Sequence, residues 1–137
     1  MAKYTEMNSS YLDQKKRQLN RHRHYMLHRN VKVYHHDYNG LRDHEIVPAI
    51  ESSVDAIVER AEEDLCIIID LRQVKLDHRA LDSFRQTSAL SKPYIKKIAV
   101  VGIYEIQMAF LNYISNLFGL HIRAFDTIEK ASDWLAE

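Results

Sequence analysis

The spacing of apolar residues along the chain predicts alternating strands and helices. In "HRHYMLH" and "VKVYHHDY" polar and apolar side chains alternate, as in strands, and Arg29-Asn30 between them predicts a tight hairpin turn. The run "LCIIID" is continuous and β-branched, which favours a strand buried on both faces. Two further strands are predicted in "KKIAVVGI", ending at Gly102, and in "HIRAF".

Four segments carry the period of an amphipathic helix. The first is predicted from about Asp43 to Glu63, with its regular part beginning near Ile46, because Pro48 is tolerated only in a first turn. The others are predicted over 78–89, 104–118 and 126–135, the last with Asp126 as its N-cap. The side chains expected to face the core are Ile46, Ile50, Val54, Ile57, Ala61, Leu81, Phe84, Ala89, Ile106, Phe110, Ile114, Leu117 or Phe118, Ala131, Trp134 and Leu135.

The resulting order, ββαβαβαβα, predicts a single α/β domain. Strand–helix–strand repetition implies parallel neighbours with right-handed crossovers, whereas the N-terminal hairpin adds one antiparallel pair. We therefore expect a mixed, mostly parallel sheet of about five strands over residues 21–137. Residues 1–20 form a basic N-terminal segment, in which "SSYLDQKKRQLN" suggests a short helix.

The composition narrows the class of protein. A chain of 137 residues with 46% hydrophobic side chains is suited to one water-soluble domain rather than to a membrane protein or a disordered chain. No run approaches the roughly 18 apolar residues of a spanning helix, and the first residues lack the apolar part of a secretory signal. With Cys66 as the one cysteine, neither an internal disulfide nor a cysteine zinc motif is expected. These features favour a cytoplasmic location.

The zero net charge hides an asymmetry along the chain. Residues 1–36 carry eight basic and two acidic side chains, a balance of +6, so the remaining 101 residues carry −6. A basic arm can bind nucleic acid or anionic lipid, and Tyr25 and Tyr34 beside the arginines would suit single strands. Docking on an acidic surface of the same or a neighbouring subunit is favoured, because nucleic-acid binding usually comes with a basic domain. Nucleic acid is therefore not expected, and peripheral membrane contact stays open.

Five of the eight histidines lie within "NRHRHYMLHRNVKVYHH". A two-residue turn would pair His24 with His35 on one face of the hairpin, with His22 opposite Asp37, close enough to hold zinc, nickel or copper. His24, His35 and His22 are therefore the candidate metal ligands. The same face would also carry Met26, Val31 and Val33, which favours a core face with partly exposed histidines at its end. No metal or other cofactor is expected on balance.

The second half of the chain resembles a known family. "SKPYIKKIAVVGI", the helix ending in "FG" and "IRAFDTIEKASDWL", with "CIIIDLRQV" before them, resemble the SpoIIAA-like branch of the STAS superfamily over roughly residues 24–135. The resemblance implies a mixed sheet packed by helices and a regulatory or ligand-binding module rather than an enzyme. This branch is structurally similar to CRAL-TRIO lipid-binding domains, which implies a small apolar ligand under a helical lid.

One departure from the family removes its best-known switch. Anti-sigma-factor antagonists of the family carry a phosphorylated serine at the start of the helix after the "LD" strand. Here Asp77, His78, Arg79 and Ala80 stand at that point, and the next hydroxyl, Ser83, lies a turn inside the helix. A phosphate there would lose the N–H groups and dipole of the first turn, so a phosphorylation switch is not expected.

Candidate ligand-binding residues follow from the sheet. In open α/β sheets ligands bind at the carboxyl ends of strands, which here carry Asp70, His78, Gly102 and Tyr104. Phe110 joins them because the helix over 104–118 has surplus apolar surface for a pocket or a dimer contact. Asp, His and Tyr at one edge are compatible with acid–base chemistry, but helix capping accounts for the first two, so no catalytic residue is expected. The alternatives left open are an apolar ligand, a homodimer or other protein partner, and a histidine-dependent metal site.

Overall fold

A five-stranded mixed sheet organises the chain in the computed structural model, which describes residues 12–13, 22, 24–103 and 105–137. Its spatial order is the same as its order along the chain. The β1–β2 pair is antiparallel and the other three pairs are parallel. This confirms the predicted α/β class and strand order. The strands are β1 Tyr25–His28, β2 Val31–Asp37, β3 Leu65–Asp70, β4 Ile95–Val101 and β5 Ile122–Phe125.

Four helices follow the strands in the predicted order. They are α1 Asp43–Arg60, α2 His78–Ser91, α3 Glu105–Phe118 and α4 Ile128–Leu135, and a 3₁₀ turn over Lys92–Tyr94 leads from α2 into β4. Among the described helices, none combines the length and the apolar character needed to cross a bilayer. The short helix expected within residues 1–20 lies outside the described residues, apart from Leu12 and Asp13, which are helical.

The three inner strands of the sheet, β2, β3 and β4, are largely buried on both faces. Its strands follow one another in space as they do along the chain, and crossovers of one hand then place α1, α2 and α3 on the same side. Helix α4 covers the opposite face with Ala131, Trp134 and Leu135. Neighbouring residues of β2 show the result, since Val33 faces α4 and Tyr34 faces α1, and both are buried.

Helix α1 begins where predicted but ends earlier. It is helical from Asp43 onward rather than regular only from near Ile46, because Glu45 caps it by accepting a hydrogen bond from the Arg42 N–H at 2.9 Å. Pro48 therefore lies in the second turn. The helix ends at Arg60, since Ala61 takes a left-handed conformation with φ 51°.

The predicted cap of α4 and several of the predicted core positions are also affected. Thr127, not Asp126, caps α4 by accepting a hydrogen bond from the Lys130 N–H at 3.1 Å, while Asp126 pairs with the Lys130 ammonium group. Ala61, Ala89 and Leu117 are exposed, Ala61 because α1 ends before it and the other two because α2 and α3 turn other side chains toward the sheet. Phe118, the predicted alternative to Leu117, is half-buried. The side chain of Ile106 lies outside the described residues.

A buried lysine fixes α4 to the sheet. Lys97 of β4 lies on the face of the sheet that α4 covers, and it donates hydrogen bonds to the carbonyl oxygens of Trp134 at 2.9 Å and Glu137 at 3.4 Å. Its ammonium group also lies 5.0 Å from the centre of the Trp134 ring. The carbonyl groups at a helix C-terminus carry partial negative charge, so a cation there satisfies them and stabilises the dipole.

We predict that Lys97→Met lowers the free energy of unfolding by about 2 kcal/mol, because it keeps the buried alkyl chain but removes both charge-assisted hydrogen bonds. Urea denaturation followed by tryptophan fluorescence measures the change, with Trp134 as the reporter. Lys96→Met is the matched control, since the neighbouring side chain is exposed and its loss should change stability by less than about 0.5 kcal/mol. Equal effects of the two substitutions would contradict the anchoring role.

Candidate functional site

At the carboxyl ends of the strands, Asp70 is engaged by its own loop. Its carboxylate is buried and accepts hydrogen bonds from the Arg72 N–H at 3.0 Å and from the guanidinium group at 2.9 and 2.7 Å. The hydrogen bond to Asp70 also raises the pKa of the Arg72 guanidinium. This closed ion pair holds the loop after β3 and leaves the carboxylate committed to structure.

The other residues predicted at this edge do not meet in one site. Gly102 packs beneath Arg72, where an added Cβ would lie 2.7 Å from the Arg72 backbone N, and its φ of 89° also favours glycine. His78 is the exposed first residue of α2. Tyr104 lies outside the described residues. Asp70 and Gly102 are thus brought together by Arg72, whereas His78 stands apart.

The hairpin forms with the predicted turn but with fewer strand pairs. Arg29 and Asn30 have φ values of 50° and 67°, as a two-residue turn between twisted strands requires, and His28 pairs with Val31 as predicted. The ladder stops at Tyr25–Tyr34, so the predicted pair of His24 with His35 is not formed and His24 is exposed.

The three candidate metal ligands are therefore separated. His35 lies on the α4 side of β2 and is half-buried, and burial lowers its pKa. His22 lies in a turn before β1 and is buried on the opposite side, with its ring 4.5 Å from the ring of His36. No group of three or more potential metal ligands occurs among the described residues.

His22 belongs instead to a buried polar cluster between β2 and α1, which also contains His36, Tyr38 and Ser53. The Ser53 hydroxyl lies 3.2 Å from His22 Nε2 and 2.5 Å from the Tyr38 hydroxyl, and it donates to the Ala49 carbonyl at 2.9 Å. Arg60, at the end of α1, donates a hydrogen bond to the backbone carbonyl of His22 and stacks on Tyr34. The cluster is thus assembled from a residue that precedes β1, from the end of β2 and from the inner face of α1.

His36 is the least satisfied member of the cluster. It is 1% exposed, and its Nε2 has no hydrogen-bond partner within the described part of the chain. Burial holds the pKa of His36 well below its ordinary value, and the neighbouring His22 and Arg60 act in the same direction. The imidazole is therefore neutral at pH 7. Burial likewise raises the pKa of Tyr38, so its phenol keeps its proton.

A cavity whose lining includes members of this cluster lies between the sheet and α1, α2 and α3. The space in it that a water-sized molecule can enter is about 60 Å³. Besides His36, Tyr38 and Ser53, the side chains that line it are Ile50, Val54, Ile57, Ile67, Ile69, Leu71, Leu76, Leu81, Phe84, Thr87, Ser88, Ser91, Ile95, Ile98, Val100, Ile103, Gln107, Leu111, Ile114, Leu120 and Ile122.

The cavity involves residues that the sequence analysis did not select. Phe110, chosen from the apolar helix, is half-buried against Tyr113 and is not part of the lining, whereas Gln107, Leu111 and Ile114 of the same helix are. His36 had a usable signal in the sequence. Tyr34, His36 and Tyr38 alternate along one face of a strand that is buried on both sides, so His36 shares the face of two core tyrosines.

We predict that the buried imidazole of His36 makes folding pH-dependent. Its pKa in the folded state lies below the ordinary 6.5, so in the window between the two values only the unfolded chain binds the proton. Stability is then lost as the pH falls below about 6.5, by up to about 1.4 kcal/mol per pH unit. The free energy of unfolding, measured by urea denaturation between about pH 7 and pH 5, should fall less steeply in His36→Gln.

His44→Gln provides the control for this measurement, because His44 is exposed on the first turn of α1. A slope that is equally reduced in both variants, or unchanged in His36→Gln, would show that His36 is not the buried group that titrates.

Comparison of the chain with known proteins identifies no relative. No protein-family model, no curated protein and no solved structure matches the chain. What the cavity and its polar end can do therefore has to follow from their own chemistry.

Proposed function

We propose that the protein is a non-enzymatic module that binds a small, elongated apolar ligand in the cavity between the sheet and α1, α2 and α3. The observation that carries the proposal is an almost wholly apolar lining that includes His36, whose buried Nε2 has no hydrogen-bond partner in the described chain. Ligand sites commonly combine a predominantly apolar wall with a few polar groups that fix orientation.

Packing physics supports the proposal. Protein interiors are close-packed, and voids in them cost stability in proportion to their volume. A void along three helices is therefore unfavourable for folding alone. It is placed beside small side chains of α2, where Ser88 and Ser91 face the sheet in positions that larger apolar residues would fill.

The size of the cavity limits the ligand. The small free space favours a single narrow chain over a folded or multi-ring molecule. Entry of a chain requires α2 or α3 to move away from the sheet, a rearrangement of the kind that a substantial minority of proteins show on binding. Leu81 and Phe84 of α2 are only half-buried, which makes this helix the candidate for the movement.

The family resemblance of the sequence leads to the same proposal. The resemblance to the SpoIIAA-like branch implies a ligand-binding or regulatory module, and the similarity of that branch to CRAL-TRIO domains implies an apolar ligand. A cytoplasmic location also belongs to the proposal. Cys66, the one cysteine of the chain, is buried as a free thiol whose pKa is raised by that burial.

The binding prediction uses diphenylhexatriene, a thin, uncharged rod that fluoresces in apolar surroundings and has no hydrogen-bonding group. The wild-type protein should bind it saturably, and Ser88→Phe should weaken binding at least about tenfold, because the ring occupies the cavity. Fluorescence titration measures both affinities.

Ala89→Phe is the matched control, since it adds the same ring one residue along α2, where the side chain is exposed. It should leave the affinity unchanged, and circular dichroism should show that both variants are folded. If wild type fails to bind the probe, or if both substitutions weaken binding equally, the cavity is not a ligand site.

A homodimer through β1 is the second proposal, favoured by the surface of the hairpin. Strand β1 is at one end of the sheet, and its Met26 and Leu27 are 66% and 64% exposed on opposite faces. An edge strand with apolar side chains is a template for pairing with a second copy. Antiparallel pairing of two β1 strands would extend the sheet across both subunits.

We predict that wild type sediments as a dimer and that Leu27→Lys shifts it to monomer, because charged side chains on an edge strand oppose pairing. Sedimentation velocity over a range of protein concentrations measures the change. Leu90→Lys is the control, since Leu90 is similarly exposed on α2, away from the hairpin. A monomeric wild type would exclude this dimer.

A further inference from the structure

We propose that the ligand of this cavity is an uncharged single-chain amphiphile, whose hydroxyl or carbonyl group bonds His36 Nε2 while its alkyl chain extends toward α2 and α3. The inference rests on the proposed ligand-binding function and assigns the chemical class of the ligand. It comes from the charges of the lining and from the position of the one polar end that lacks a partner in the described chain.

The lining itself excludes charge. Among the described residues that form it, none is Lys, Arg, Asp or Glu, although more than a quarter of the whole chain is charged. A carboxylate, phosphate or ammonium group drawn into this cavity would leave water without a counter-ion. Burial of an unpaired charge is far more costly than burial of a neutral polar group.

His36 cannot supply the missing charge. A carboxylate would need an imidazolium beside it. Burial of His36 opposes a proton on its ring, and so does the positive charge of Arg60 and of His22 or His35 when protonated. The hydroxyl groups of Tyr38 and Ser53 on the same side are also neutral. The polar end of the cavity therefore offers hydrogen bonds without formal charge.

A hydroxyl group fits this end best. In a neutral imidazole Nε2 is a donor in one tautomer and an acceptor in the other, and a hydroxyl can meet either because it both donates and accepts. A carbonyl group serves only the tautomer that carries the proton on Nε2. In both cases the partner satisfies a buried nitrogen whose desolvation otherwise goes unrecovered.

The test compares three ligands of one chain length for displacement of diphenylhexatriene from wild-type protein. At about pH 8 decanol is neutral, decanoate is an anion and decylammonium is a cation, as their ordinary pKa values dictate. Decanol should displace the probe at a concentration at least about tenfold below that of either ion, because each ion must be desolvated without a partner.

Two variants then identify the hydrogen-bonding residue. His36→Phe should weaken decanol about tenfold more than it weakens diphenylhexatriene, because both ligands meet the changed wall but only decanol loses a hydrogen bond. His36→Gln keeps a donor and an acceptor and should retain most of the decanol affinity. A merely structural role of His36 would weaken the probe and decanol alike, and that result overturns the assignment.

The outcomes separate this inference from the function on which it rests. If diphenylhexatriene binds and Ser88→Phe abolishes it, but decanoate or decylammonium competes as well as decanol, the cavity is a ligand site and the neutral class is wrong. If the probe does not bind to wild-type protein, both the function and the ligand class are wrong.

Discussion

Each parallel strand of this sheet is followed, one helix later, by its immediate neighbour in space. This single direction of winding determines on which face of the sheet the connecting helices lie. Crossovers of one hand then put α1, α2 and α3 on the same face. The other face is left to the eight-residue α4, which is fixed by Lys97 and by the packing of Trp134. One face is thus sealed by a short, tightly anchored helix, while the other needs three helices to cover the same strands. The cavity forms on the three-helix side, where Thr87, Ser88 and Ser91 of α2 meet the sheet with small hydroxyl side chains.

The polar end of the cavity depends on the same arrangement. Strand β2 lies inside the sheet, between the short β1 and β3, so both of its faces are covered and its alternating side chains enter two different environments. His35 comes to the α4 side and remains half-exposed, whereas His36 comes to the α1 side and is fully buried. Arg60 then holds the backbone of His22 against this cluster and contributes positive potential. A neutral His36 imidazole is the consequence, and under the proposed function it would make the cavity selective for uncharged ligands.

The sequence predicts the elements well because each is encoded locally. The β-branched run of β3, the Arg29-Asn30 turn and the capped, periodic helices all act within about ten residues, and the structure has them in the predicted order. Errors arise where two local signals compete, as with Thr127 against Asp126 for the cap of α4. The candidate site is harder to predict because it depends on distant parts of the chain. His22 was paired by strand register, but the chain turns before β1 and delivers it to Ser53 of α1, 31 residues away. A cavity has no signature in a sequence, since it is set by side-chain volumes that meet only after folding.

Under the proposed function, the arrangement also ties ligand binding to stability. A void beside α2 and an imidazole nitrogen without a partner in the described chain both act against the folded state, the first through lost packing contacts and the second through lost hydration. Larger side chains at positions 88 or 91 would remove the packing cost of the void. An apolar residue at position 36 would remove the cost of burying an imidazole nitrogen without a partner in the described chain. Both features occur together, and they occupy the same cavity. A ligand that fills the void with its chain and bonds His36 with its head group recovers both costs at once. The free energy recovered appears as affinity, and by mass action it also stabilises the ligand-bound fold.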